Sequence, residues 1–303
     1  MFLHALRTPS LCRHGIVATL FMFCLSALSH AQTATAEKEI QAAVEGMQAV
    51  AVQGPLDVSL GAQASIRLPE DFTFVPKAEA ERFMHAVGNQ VAKDFIGLIF
   101  SVRLEGFVSV EFTPAGYIKD DDARDWNVDD LLQSLKDGAH QGNVERTKRG
   151  LPEIEVLGWI EKPAYDASTH RLVWSISAQQ KGGGSIGEEQ GVNYNTYLLG
   201  REGYLSLNLV TDNSNVEEEK PVAKQLLTAV SFNTGQRYED FNAATDRVAE
   251  YGLAALVGGL AVKKLGLLAA LGVFLLKTWK IVLIGVIAFG ALFKRLFGRK
   301  TAS

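Results

Sequence analysis

The chain has 303 residues, 47% of them hydrophobic and 21% charged, with 30 Lys+Arg against 34 Asp+Glu for a formal charge of −4. That balance excludes a disordered chain, and a pI near 5.9 excludes a general nucleic-acid binder. Two cysteines are too few for a disulfide-dense scaffold or a four-cysteine zinc site.

Residues 1–31 read as a cleaved signal peptide. Arg7 and Arg13 form a cationic start, Gly15 to Leu28 is a short apolar run, and Ser29 and Ala31 place small residues at the minus-three and minus-one positions. Both cysteines, Cys12 and Cys24, lie in this segment, so the mature chain has none, which suits an oxidising compartment.

Residues 32–250 read as one periplasmic domain without internal repeat or low-complexity tract. Ala36 to Val50 is helical in composition, with Thr35 as cap. Strand-like pieces follow at 56–60, 64–68 and 72–75, broken by Gly61 and Pro69, then a helix over 77–87 and strands at 96–101 and 107–113. Asn127 caps a helix running from about Val128 to Thr147. Two hairpins come next, pairing 154–162 with 171–179 and 192–199 with 204–210, and helices are predicted over 216–230 and 237–251. The pattern is α+β, an antiparallel sheet built from hairpins with flanking helices, plus a C-terminal transmembrane helix.

The tail carries three apolar pieces of 10, 12 and 13 residues, separated by Lys263-Lys264 and by Lys277 to Lys280. Each spans only ~15 to 20 Å as a helix, against a hydrocarbon core of ~30 Å. Keeping every lysine near an interface makes 279–297 the span, 251–278 an interfacial or amphipathic segment and 298–303 a cytoplasmic tail. One crossing leaves Lys294, Arg295, Arg299 and Lys300 inside, as the positive-inside rule requires; a two-crossing hairpin is the competing layout. Of the 30 basic residues, two lie in 1–31 and eight from Tyr251 on, where no acid occurs, so 32–250 holds 20 against all 34 acids, −14. The whole reads as an inner-membrane protein with an acidic domain outside the cytoplasm.

Several separated motifs resemble the bacterial family called domain of unknown function 2167. They are Gly116-Tyr117-Ile118-Lys119-Asp120-Asp121-Asp122-Ala123, Gly158-Trp159 before Pro163 and Tyr165, Val192 to Thr196 with Leu199-Gly200-Arg201 and Gly203, and Tyr238 to Phe241 with Tyr251-Gly252 before the apolar tail. The resemblance covers roughly residues 50 to 295 and implies a membrane-anchored architecture without assigned catalytic residues. More loosely, Ser65 to Pro69 with Phe72 is similar to sandwich-like periplasmic domains of the PsbP and Mog type.

Among candidate sites, Asp121, Asp125 and Asp129 would share a helix face at i, i+4, i+8 if a helix began early, and could hold a hard cation. They lack the spacing of an EF-hand loop, so a solvated acidic helix start is the competing reading. Asn193, Tyr194, Asn195 and Arg201 sit on one hairpin and are candidates for a binding surface, against a role in satisfying turn and ladder groups. Gly182 to Gly187 formally matches G-x-G-x-x-G, but no helix opening follows it, which makes it a hairpin loop. His85, His140 and His170 lack metal-ligand spacing, and Ser168-Thr169-His170 with Asp166 is too close in sequence for a nucleophilic relay. Trp159 and Trp174 fall on facing strands and read as packing.

No catalytic residue and no cofactor is predicted. The leading function is a non-catalytic binding or scaffolding domain of the envelope, in contact with membrane lipid and with other envelope or inner-membrane proteins, and not with nucleic acid. The alternatives are a metal-assisted hydrolase using the Asp120 to Asp130 carboxylates and a homo-oligomeric membrane component packed through the glycines of the tail.

Overall fold

The structure, a computed structural model, describes residues 37–148, 152–182 and 191–258. The predicted signal peptide, the loop from Gly183 to Gln190 and the predicted span 279–297 lie outside the described residues, as does 251–278 beyond Gly258. Among the described residues no helix is long and apolar enough to cross a membrane.

Helix α1 covers residues 37–50 and the short strand β1 Val52–Gln53. Strands β2 (Leu56–Leu60) and β3 (Ala64–Leu68) alternate buried with exposed or half-buried residues, the period of two that gives a strand one apolar face. Strand β4 (Phe72–Pro76), helix α2 (Lys77–Ala86), β5 (Phe95–Ser101) and β6 (Phe107–Thr113) follow. After a 3-10 turn at Asp121–Arg124 come helix α3 (Val128–Lys148), β7 (Ile154–Asp166), β8 (Arg171–Gln180), β9 (Gly191–Leu199) and β10 (Tyr204–Asp212). Helix α4 (Val216–Ala229), β11 (Val230–Phe232), a 3-10 turn at Tyr238–Asp240 and α5 (Ala254–Gly258) complete the order.

Eight strands form one antiparallel sheet in the order β1-β4-β5-β6-β10-β9-β8-β7, and three form a second, β11-β3-β2. The α+β class and both predicted hairpins are present, β7 pairing with β8 and β9 with β10. One face of the large sheet, carrying Val108, Val110, Leu205, Leu207, Leu209 and Tyr194, is covered by the small sheet and α4. The opposite face is covered at its two ends by different elements. Phe95, Leu98, Phe100 and Phe107 pack with Met47 of α1 and Phe83 and Met84 of α2. Leu172, Trp174, Tyr197, Leu199 and Tyr204 pack with Leu131 of α3 and with Leu253, Leu256 and Val257.

One predicted element is not formed. Residues 237–251 hold only the short 3-10 turn, with irregular chain after it, in place of a helix. Side chains compete there for the backbone groups a helix needs: the Asn242 amide donates to Asp246 Oδ2 at 2.8 Å, and the Ala244 amide donates to Asn242 Oδ1 at 3.0 Å. The segment is then drawn along the sheet end, where the Tyr117 amide donates to Arg247 O and the Ala249 amide to Tyr117 O, both at 2.8 Å.

Candidate functional site

The four residues predicted as a binding surface do not share one. Asn193, Tyr194 and Asn195 are consecutive in β9, whose side chains alternate between faces. Tyr194 enters the main core fully buried, and its hydroxyl donates to Glu161 Oε2 at 2.9 Å, while Lys224 Nζ donates to Glu161 Oε1 at 2.8 Å. Burial and the Glu161 carboxylate push the Tyr194 phenol far up, so it stays protonated. Asn193 and Asn195 lie on the opposite face and are buried. Arg201 sits in the turn before β10, where Nε and Nη2 donate to the two oxygens of Asp246 at 2.7 and 2.8 Å and Nη1 donates to Gly235 O at 3.1 Å. That fork and the Asn242 amide hold the Asp246 carboxyl well below its ordinary range. Arg201 thus binds the 233–246 segment to the sheet.

The predicted carboxylate face is not formed either. Asp121 lies in the 3-10 turn, Asp125 follows it, and α3 starts only at Val128, so Asp121, Asp125 and Asp129 are not on one helix. Asn127 is the cap, its Oδ1 accepting the amides of Asp129 at 2.9 Å and Asp130 at 3.4 Å. Among the described residues no group of three His, Cys, Asp or Glu side chains is placed to hold a metal ion. Asp122 accepts the amides of Leu253 at 3.0 Å and Ala254 at 3.1 Å with its two oxygens, at the start of α5. Gly252 permits this approach, since a Cβ there would stand 2.3 Å from Asp122 Oδ2.

Sequence reasoning missed a column of four rings at this end of the sheet. Phe241 stacks on Tyr117 at 3.8 Å, Tyr117 on Tyr238 at 4.4 Å, and Tyr238 lies 4.0 Å from the His170 ring. The Tyr238 hydroxyl donates to Ile118 O at 2.8 Å, and the Tyr165 hydroxyl donates to Asp120 Oδ2 at 2.7 Å. With that proton committed, His170 Nδ1, 3.0 Å from the same phenolic oxygen, is the donor to it. Burial, with the Asp120 carboxylate, drives the Tyr165 phenol far up and keeps it neutral.

His170 is the non-glycine residue with positive φ, 53°, among the described residues. The Asp166 carboxylate forms the preceding turn by accepting from Ser168 N, Ser168 Oγ and Thr169 Oγ1, which lowers its pKa to about 2. Ser168 and Thr169 are therefore committed to Asp166, and the hydroxyl hydrogen-bonded to His170 is that of Tyr165, which donates to Asp120. The cluster joins the 117–120, 165–170 and 238–241 stretches. The one signal for it in the sequence was the recurrence of tyrosines in the separated motifs at 117, 165 and 238.

Residues 52–290 match the family model described as protein of unknown function (DUF2167). The chain belongs to the DUF2167 family. The motifs at Gly116 to Ala123, Tyr165, Arg201 and Tyr238 to Phe241 thus come together at one end of the sheet of a DUF2167 protein, around the start of its apolar tail. No curated protein matches the chain. Among solved structures, cyanobacterial PsbP (CyanoP) from Synechocystis sp. PCC 6803 is similar over 59% of this chain and 100% of its own, at 11% identity and a TM-score of 0.34, too distant to transfer anything from.

Proposed function

We propose that this DUF2167 protein is an inner-membrane-anchored periplasmic domain with a non-catalytic binding role, tethered by one C-terminal crossing with its last residues in the cytoplasm. The observation that supports it best is the seat of the tail. Asp122 caps the first turn of α5, and Leu253, Ala255, Leu256 and Val257 are buried against α3 and the sheet end. The described chain thus reaches Gly258 held firmly on the domain, which suits a domain held at a set orientation to a surface. The Ser168 and Thr169 hydroxyls next to His170 are committed to a turn, which favours binding over catalysis.

The full chain is expected to stay with membranes through alkaline extraction and to lose that retention when cut after Gly258. A reporter fused after Ser303 that works only outside the cytoplasm is expected to be silent. An alkali-extractable full chain, or an active reporter, overturns the single anchored crossing.

A further inference from the structure

Helix α5 meets α3 before the apolar side of α3 is used up. Asp122, just ahead of α3, holds the Leu253 and Ala254 amides. By Gly258 the chain lies on α3 itself, where a Cβ would stand 3.5 Å from Leu131 Cδ2 and from Ser134 Cβ. The contact therefore advances along α3 from its start toward its middle.

Beyond that contact α3 continues with Leu135, Gly138 and Ala139, which share one side of the helix by their spacing and are all half-buried. Leu135 packs on the cluster around α5, and Ala139 on Ile154 and Ala178, so this side of α3 links two apolar clusters. Gly138 leaves a notch between them: no atom of the described residues lies within 4 Å of its would-be Cβ. Glycine weakens a helix interior and suits a place where another backbone comes close.

The chain's own continuation fits this ground. It stands at the edge of the notch at Gly258 and goes on as Gly259-Leu260-Ala261-Val262, apolar throughout, before Lys263-Lys264. As helix, residues 259–264 advance ~9 Å, enough to pass from the level of Ser134 beyond Ala139. Charge agrees. Asp130 and Asp137, four before and three after Ser134, are exposed and share its side of α3, whereas Lys136, two after it, does not. Asp137 accepts from the uncharged Gln133, so its charge is left for a cation. A lipid surface fits less well, since it would take both carboxylates out of water with no cation beside them.

We propose that residues 259–264 dock on α3 as a continuation of α5, with Ala261 and Val262 over Gly138 and Lys263-Lys264 brought to Asp137. The domain then holds the first part of its own tail as a stem. The inference extends the seat of α5 and is independent of whether the later tail crosses a membrane.

The test uses the full chain with Cys12→Ser and Cys24→Ser, so that introduced thiols are the only ones. Gly138→Cys is combined in turn with Leu260→Cys, Ala261→Cys and Val262→Cys, and each pair is oxidised in membranes and in detergent. An intramolecular disulfide is expected with Ala261→Cys or Val262→Cys, about tenfold or more faster than with Leu260→Cys, which a helix turns to the opposite side. Without introduced thiols, Gly138→Leu is expected to lower the melting temperature by filling the notch. Gly142→Leu, one turn on and past the docked residues, should leave it unchanged or raised. Absence of an intramolecular disulfide overturns the proposal, as do equal rates for the three pairs, disulfides that only join two chains, or a Gly138→Leu chain that melts higher. Membrane retention is read separately, so a chain that forms the disulfide but is extracted by alkali keeps this inference and loses the anchor.

Discussion

Asp122 supplies from another part of the chain what a capping residue usually supplies from within the helix, accepting the Leu253 and Ala254 amides together. Asp122→Ala is expected to lower unfolding stability by about 0.5–2 kcal/mol, read as the denaturant midpoint of the full chain. Asp122→Asn, which keeps an acceptor oxygen, should lose less. At Asp246 the sign follows from its depressed pKa. The carboxylate pairs with Arg201 in the folded chain, so the stabilisation is complete above the unfolded value of 3.8 and is lost as the pH falls through it toward the folded value. The melting-temperature gap between the natural chain and Asp246→Asn is therefore expected to be widest near neutrality and to narrow as the pH is lowered toward about 3. A gap independent of pH would mean that Asp246 acts through shape alone.

Glycines in different elements give opposite expectations for one substitution. A Cβ on Gly203, beside β10, would stand 2.0 Å from Thr113 O in the neighbouring strand. Gly203→Ala is expected to destabilise by about 1–3 kcal/mol, because backbone and not a flexible side chain is in the way. Gly142 of α3 has nothing within 4 Å of its would-be Cβ, so Gly142→Ala is expected to stabilise by about 0.5–1 kcal/mol. Both are read from denaturation midpoints. The elements themselves were legible where period or punctuation was strong: β2 and β3 by alternation, α3 by Asn127, the hairpins by their turns. Residues 237–251 misled because their composition allows a helix, while Asn242 and Asp246 close local turns that no count of propensities reveals. In β9 the strand was legible and its consequence was not drawn, since alternation alone separates Tyr194 from its two asparagine neighbours.

At the scale of the molecule, what could not be read is what topology assembles. The ring column draws Tyr117, His170, Tyr238 and Phe241 from three separated stretches. Their meeting depends on a strand order in which β10 inserts between β6 and β9, and no local pattern encodes that. The same order leaves β7, the longest strand at 13 residues, on the outside. A strand of that length with bare backbone groups is a template for another copy, and the anchoring proposed above would bring copies together often. β7 is poorly suited to such growth. Its register shifts at three places, Pro163 removes a donor, and at its start the Asn143 carboxamide occupies both the amide and the carbonyl of Ile154 at 2.8 Å, filling the place of a neighbouring strand. Crowding two-dimensionally should therefore leave these domains as separate bodies and not zip them into ribbons.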